Sequence, residues 1–285
     1  MAPAPTMSVP PSPARPARPF AGGHVRSASV PCHSHPLLTH VDDQLLALRS
    51  WTSNPGENPL SLAHVRALLC VLDELLHLPL AAAASTDHLL HGFLVLADAF
   101  GTFLSALLAL RQHASELQAA VRRRDQPKIA SAARAQRQVD KELAQLAAAV
   151  AREASRCARA SVTTTTTCSD HAGATELEVA RTVAEAINDT AVASASVFME
   201  VGSLADAAAA AAAAPPTKKR LPPLMHSSSR SKKQPSCEEQ RGVAALQKLK
   251  ELEQCIGELE SESEKVFRSL VQARVSLLNI HTPTF

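Results

Sequence analysis

Apolar residues recur at alternating steps of three and four along most of the chain, which is the spacing of one face of an amphipathic helix. Six stretches show this pattern: residues 38–48, 62–76, 89–121, 143–150, 177–201 and 249–280. Pro55, Pro59, Pro79 and Pro127 separate the earlier stretches, since proline breaks a helix interior. Residues 161–175, with five consecutive threonines and Gly173, predict a loop.

The last stretch keeps a heptad pattern for more than four heptads. Its seam consists of Leu249, Leu252, Ile256, Leu259, Ser263, Val266, Leu270, Ala273, Leu277 and Ile280. This pattern predicts a coiled-coil-like helix in a packed hairpin or a coiled coil. It leaves open whether the partner helix lies in the same chain.

Residues 89–110 are apolar for about the length that a membrane-spanning helix needs. His91, Asp98, Ser105 and Gln112 recur every seven residues there, so they form one polar stripe opposite the apolar seam. An Asp in the middle of a spanning helix costs about 3 kcal/mol on insertion scales. The pattern therefore favours a bundle helix with one solvent-exposed face over a transmembrane span.

Two segments lack any apolar period. Residues 1–36 are rich in Pro, Ser and Arg and contain no acidic residue, which predicts a disordered tail. An acid-poor tail of this kind is also compatible with a plastid transit peptide. Residues 215–236 hold six Lys and Arg and no acid, which predicts a basic linker. A nuclear import signal and a contact with anionic lipid are its alternatives.

The composition agrees with a helical protein. The 285 residues include 52 Ala but only nine Gly and no Tyr, so few β turns are expected. With 29 Lys and Arg against 27 Asp and Glu, the chain lacks the basic excess of a nucleic-acid-binding domain. No two of the six Cys form a C-x-x-C pair, so neither a zinc ribbon nor a disulfide framework is indicated.

The residues of a catalytic triad occur in the polar stripe, but their spacing is wrong. His91, Asp98 and Ser105 are each seven residues apart, or about 10.5 Å along a helix, whereas a triad needs hydrogen bonds of about 3 Å. Cys32, His33 and His35 lack a second ligand pair at zinc-finger spacing. No phosphate-binding, dinucleotide-binding or metalloprotease motif is found. We expect no catalytic residue, no cofactor and no metal.

Charge patterns suggest two further features. Ser27 and Ser29 beside Arg26, and Ser229 and Ser231 beside Arg230, are candidate phosphorylation sites in the tail and linker. Residues 122–160 hold ten Lys and Arg against four acids. We expect this excess to pair with the acidic first half of the last helix in preference to RNA, because aromatic stacking residues are missing.

Several segments resemble the BYPASS-like family, a plant-specific family of unknown biochemistry. They are HVRSASVP at 24–31, LLALRSW at 45–51, LLHLPL at 75–80, LADAFGT at 96–102 and, most closely, VFRSLVQARVSLLNI at 266–280. The resemblance covers residues 24–285 in order. It implies a role in root and shoot development and supplies no catalytic residue. Within LADAFGT we expect structural roles: close helix packing at Gly101 and a capping or edge hydrogen bond at Asp98.

The sequence thus predicts an all-α protein: an elongated helical bundle over residues 37–285 behind a disordered tail. The expected function is that of a non-enzymatic regulatory or scaffold protein. The alternative is a peripheral membrane protein that binds anionic lipid through the basic linker. We expect a protein partner, or self-association through the C-terminal heptad helix, and no nucleic acid. A cytoplasmic or peripheral membrane location is favoured, with plastid and nucleus left open.

Overall fold

Six α-helices make up nearly all of the structure, a computed structural model that describes residues 35–281 except 57, 85, 168–172 and 215–236. They are α1 (Pro36–Ser53), α2 (Ala63–Leu76), α3 (Asp87–Arg123), α4 (Gln126–Thr167), α5 (Ala174–Ala213) and α6 (Cys237–His281). A short 3-10 helix, Pro79–Ala84, joins α2 to α3. Strands are absent from these described residues, so the all-α prediction is confirmed.

Local signals explain where the central helix begins and ends. The Thr86 hydroxyl accepts a hydrogen bond from the Leu89 amide at 3.4 Å, which caps the start of α3. Arg124 ends the helix in the left-handed conformation, with φ of 56°. Asp125 then caps α4, since its Oδ1 accepts from the Lys128 amide at 3.2 Å. The long helices α3 and α4 are therefore joined by a turn of only two residues.

The middle of the bundle is formed by α3, which packs against α4 on one flank and α6 on the other. The longest helix contact is between α4 and α5, while α1 and α2 close the side next to α5 and α6. Phe100 and Phe103 of α3 meet Phe198 of α5 in the core, with ring centroids 5.5 Å and 4.2 Å from Phe198. Phe198 therefore joins the two apolar helices at their crossing.

The heptad seam of α6 is buried within the same chain. Every seam residue from Leu249 to Leu277 is buried, and Ile280 is half-buried against the core. The surrounding helices are α2, α3 and α5. The partner of the predicted coiled-coil-like helix is thus found inside the bundle.

The apolar seam of α3 also faces the core, from Leu89 to Leu117, while its polar stripe is exposed. By length and composition alone, α3 and α5 are both long and apolar enough to cross a membrane. In the bundle each turns its apolar face toward neighbouring helices. The seam therefore has protein partners on the bundle side, as its pattern predicted.

Arg49, in the LLALRSW segment, ties α1 to α5. Its Nε donates to Asp189 Oδ2 at 2.6 Å and its Nη2 donates to Glu185 Oε2 at 3.0 Å. These hydrogen bonds, together with the two charges, raise the pKa of Arg49 against the opposing effect of burial. Two carboxylates on one guanidinium fix the orientation of α1 more than they add stability, because the arginine is nearly half exposed.

Three boundaries differ from the prediction. Pro36, assigned to the tail, is the first residue of α1, a position that proline favours. The predicted loop over 161–175 is wrong in its first half, because α4 continues to Thr167. The apolar seam predicted for 143–150 is part of a helix that already begins at Gln126. The other predicted segments, 1–34 and 215–236, lie outside the described residues together with Ser27, Ser29, Ser229 and Ser231.

Candidate interaction surfaces

The outward side of α3, between α4 and α6, is the first candidate surface. His91 Nε2 lies 3.3 Å from Glu153 Oε1 of α4, and Arg111 pairs with Glu260 of α6 on the opposite flank. Between these flanks lies what we call the α3 outer face, formed by Leu94, Asp98, Gly101, Ser105, Leu108 and Gln112. It is exposed at every position except Gly101, which is half-exposed.

The recorded hydrogen bonds of the polar stripe do not join His91, Asp98 and Ser105 to one another. The Ser105 hydroxyl donates to the Gly101 carbonyl at 3.1 Å, and His91 contacts Glu153. At Asp98 the recorded hydrogen bond is made by the backbone carbonyl, which accepts from the Thr102 hydroxyl at 2.9 Å. These bonds stay within one helix turn or lead away to α4.

The predicted close packing at Gly101 is wrong. A Cβ on Gly101 would meet no heavy atom within 4 Å. The close approach is at Gly202 of α5, where a Cβ would overlap the Asp140 carboxylate of α4 and lie 3.6 Å from its Cα. Burial, and then the nearby Asp206 charge, raises the pKa of Asp140. The glycine that the helix contact requires is therefore Gly202.

The two glycines give opposite expectations for alanine. Gly101→Ala should raise the free energy of unfolding by about 0.5–1 kcal/mol, because alanine loses less chain entropy in a helix. Gly202→Ala should show none of this gain, because the Asp140 carboxylate must move. Urea unfolding of both variants measures the difference. In an Asp140→Ala background the gain at 202 should return, and its continued absence would contradict the assigned contact.

The register between α3 and α6 brings exposed apolar residues of the two helices to the same level of the bundle. Arg111 pairs with Glu260 and Gln118 with Glu253, so α3 and α6 are antiparallel. Extending this register places Leu94 level with Leu277. Val271, Val275 and Leu278 share one exposed flank of α6 near this level, and together with Leu94 they form what we call the apolar patch. Each is between 37% and 41% exposed.

The α6 members of the patch were missed by the heptad argument. Val271, Val275 and Leu278 lie in the segment that most resembles the plant family, yet they fall outside the seam. Apolar residues beyond the heptad positions of a long amphipathic helix were the available signal. Clustered exposed apolar residues of this kind mark interaction sites more often than scattered ones do.

The acidic half of α6 pairs mainly with α2 and α3, so the expectation for residues 122–160 is wrong in the main. Arg66 of α2 contacts Glu262 at 2.7 Å, and Arg111 and Gln118 of α3 contact the two acids named above. From residues 122–160 the described ion pair to α6 is Arg124 with Glu239, at 3.5 Å. The reason is topological, since α6 packs on α3 and α2 while α4 lies on the other flank.

The hydrogen bond from Arg66 lowers the pKa of Glu262, with a further contribution from Lys265. A carboxyl whose pKa is lower in the folded state contributes stability above its unfolded pKa and loses it as the pH falls. The contact between α2 and α6 therefore weakens in acid. Both side chains are partly exposed, so the effect is a modest one.

Among the cysteine side chains that the structure describes, exposed Cys70 and half-buried Cys255 are free thiols. Burial, and then the Glu258 charge, raises the pKa of Cys255 to about 11. At pH 8 we expect Cys255 to react with iodoacetamide on the order of a hundredfold more slowly than an exposed, unperturbed thiol. Peptide mass spectrometry measures the alkylation rate of Cys255 as a function of pH. A rate at Cys255 that fails to rise with pH between 8 and 10 would contradict this.

No group of three or more His, Cys, Asp or Glu in the described part of the chain is placed to hold a metal ion. Of the weak cluster noted in the sequence, His35 is described, and its Nδ1 accepts from the Leu37 amide at 3.3 Å. That nitrogen caps α1. Cys32 and His33 lie outside the described residues.

Comparison with known proteins gives one match. A family model described as Protein BPS1 matches residues 61–280, which includes α2 to α6 and all four residues of the apolar patch. Comparisons with curated proteins and with solved structures gave no significant match.

Proposed function

Since this chain belongs to the Protein BPS1 family, a plant family associated with development, we propose that it acts as a non-enzymatic regulatory or scaffold protein in root and shoot development. The observation that supports a binding role is the apolar patch. The patch is exposed on the surface of the folded bundle and lies within residues 61–280, which the family model matches.

The occupant that fits the patch is an amphipathic helix of a protein partner. Two antiparallel helices, α3 and α6, border the patch, and a third helix can lay its apolar face between such a pair. The heptad seam of α6 is already buried on α2, α3 and α5. We therefore expect a partner helix, or a second copy of the chain, to bind at the opposite, exposed flank of α6.

Charge substitutions test this role. The full-length variant Leu94→Glu/Val275→Glu should fold normally but fail to rescue root and shoot growth in plants that lack the protein. Both positions are exposed, so the cost in stability should stay near 1 kcal/mol. Met199→Glu, at an exposed position on α5 outside the patch, is the matched control and should rescue. Full rescue by the patch variant, with normal circular dichroism, would overturn the proposal.

The non-enzymatic part has its own test. Replacing His91, Asp98 and Ser105 together by alanine should leave rescue intact, because their described contacts do not converge. If the triple variant folds with an unchanged melting temperature and yet loses rescue, chemistry on the polar stripe replaces the scaffold role.

The membrane alternative rests on the basic linker. The structure describes both of its flanks: Ala214 follows α5 and Cys237 begins α6. Glu239 of α6 lies beside Arg124, and Ala214 lines the same site, so both described flanks of the linker lie near the arginines that end α3. Anionic vesicles should then sediment the protein at low salt, less so at 0.5 M salt. Replacing the six linker cations by Gln should abolish the effect, and salt-insensitive binding would exclude this alternative.

A further inference from the structure

A cavity of about 350 Å³ opens at the end of the bundle where α3 turns into α4. The end of α5 and the beginning of α6 complete its wall. Its volume lies within the range of small-molecule sites in proteins. Nothing in the roles argued above uses it, and it lies at the opposite end of α3 from Leu94.

The wall of the cavity is apolar and its rim is basic. Val121, Ile129 and Leu246 line it together with four alanines, Ala211, Ala212, Ala214 and Ala245. Three arginines, Arg122, Arg124 and Arg241, face one acid, Glu239, among its lining residues. Val243 stands at the same site with 67% of its surface exposed, although it is a large apolar side chain.

Two of the arginines are held at defined positions. Arg124 is the residue with left-handed backbone conformation at the turn, so the turn itself sets where its side chain begins. Its Nη2 lies 3.5 Å from Glu239 Oε1, a long contact that leaves most of its five donors for other acceptors. Arg122 Nη2 donates to Gln118 Oε1 at 3.4 Å, within its own helix.

We propose that this cavity binds a small amphipathic anion, an apolar group that carries a phosphate or a carboxylate. The apolar part lies against Ile129, Leu246 and the alanines, and the anionic group lies on Arg122 and Arg124. Arginine is suited to this because its planar fork matches both oxyanions with two parallel hydrogen bonds. The chain's own linker carries six cations and no acid, so its charge does not complement the arginines of the rim.

Octyl phosphate is the probe. The controls are octanol, which keeps the apolar chain without the anion, and inorganic phosphate, which keeps the anion without the chain. Isothermal titration of the full-length protein should show saturable binding of octyl phosphate with a stoichiometry near one. Both controls should bind on the order of tenfold or more weakly. Octanol binding as tightly as octyl phosphate, or no octyl phosphate binding at all, would overturn the proposal.

Variants separate the cavity from general surface charge. Arg122→Gln/Arg124→Gln should weaken octyl phosphate binding on the order of tenfold or more. Arg123→Gln removes the charge between them, at an exposed position that does not line the cavity, and should bind nearly as the parent does. Ala211→Trp should fill the cavity and abolish binding without any change in charge. Equal loss in the Arg123 variant, or binding that persists in the Trp variant, would overturn the site.

A vesicle arm distinguishes a lipid from a soluble ligand. If phosphatidic acid vesicles compete with octyl phosphate and the Ala211→Trp variant no longer binds them, the anion is a lipid headgroup with part of its chain. If vesicles do not compete while octyl phosphate still binds, the ligand is a soluble acid. If octyl phosphate binds only after residues 215–236 are removed, the linker occupies the cavity and the proposal fails.

Discussion

Replacing Phe198 by alanine is expected to lower the free energy of unfolding by about 3–5 kcal/mol, near the upper end for a single core truncation. Phe198 is fully buried where α5 crosses α3. Its ring stacks on Phe103 at 4.2 Å and meets the edge of Phe100 at 5.5 Å. The substitution therefore opens a cavity and removes both aromatic pairs at once.

Urea denaturation followed by circular dichroism measures this loss. Phe198→Leu is the matched control, because it keeps most of the apolar volume and should cost only about 1–1.5 kcal/mol. A cost below about 1 kcal/mol for Phe198→Ala would mean that the site collapses freely, and that the three rings do not hold α3 and α5 together.

Of the substitutions considered, a charge in the α6 seam should lower the free energy of unfolding the most. Leu270→Asp places a carboxylate at a fully buried position among apolar residues, and we expect a cost above about 4 kcal/mol. Domains of this kind are stable by only about 5–15 kcal/mol. The variant should therefore lose a large part of this stability, and its melting temperature should fall well below that of the parent. Val271→Asp is the matched control on the next, exposed position and should cost less than about 1 kcal/mol.

The same pair of variants distinguishes an internal seam from a seam shared between two copies. If α6 packs on α2 and α3 of its own chain, the parent is a monomer in this respect and Leu270→Asp destabilises it. If the seam instead joined two chains, the parent would sediment as a dimer and the variant as a folded monomer. Analytical ultracentrifugation with circular dichroism separates these results, and a dimeric parent with a folded monomeric Leu270→Asp variant would contradict the architecture.

The positions of the helices were predictable because each apolar seam marks the buried face of one helix. The seams of α3 and α6 follow the three-and-four spacing closely, and almost every predicted seam residue is buried. The run 161–167 was misjudged because β-branched threonines have weak helix propensity, while α4 continues through them from a long preceding helix. Local propensity is a weak guide wherever a neighbouring segment extends the helix.

Contacts between helices were much less predictable, because a seam shows that a face is buried but not which helix covers it. The sequence showed the acidic half of α6 and a basic excess after residue 122, and their opposite charges favoured pairing them. The fold instead places Arg66 and Arg111 next to those acids. Which side of α3 receives α6 depends on the packing of the whole bundle.

The glycines and the cavity also depend on which helices lie next to each other, and the sequence does not show this. Gly101 and Gly202 both lie within helices, and only the position of Asp140 makes one of them necessary. The cavity beside Arg122 and Arg124 combines residues from four helices far apart in sequence. Such a site has no local motif, so composition and spacing were unable to reveal it.

The central position of α3 has a consequence for the synthesis of the protein. The helix ends at Arg123, but α6, which covers one of its flanks, begins only at Cys237. At about 5–20 residues per second, that flank emerges from the ribosome on the order of ten seconds before its cover. During this interval the nascent chain displays an apolar segment long enough to be taken for a membrane span. Chaperones that bind apolar segments are therefore needed most while α4 and α5 are being translated.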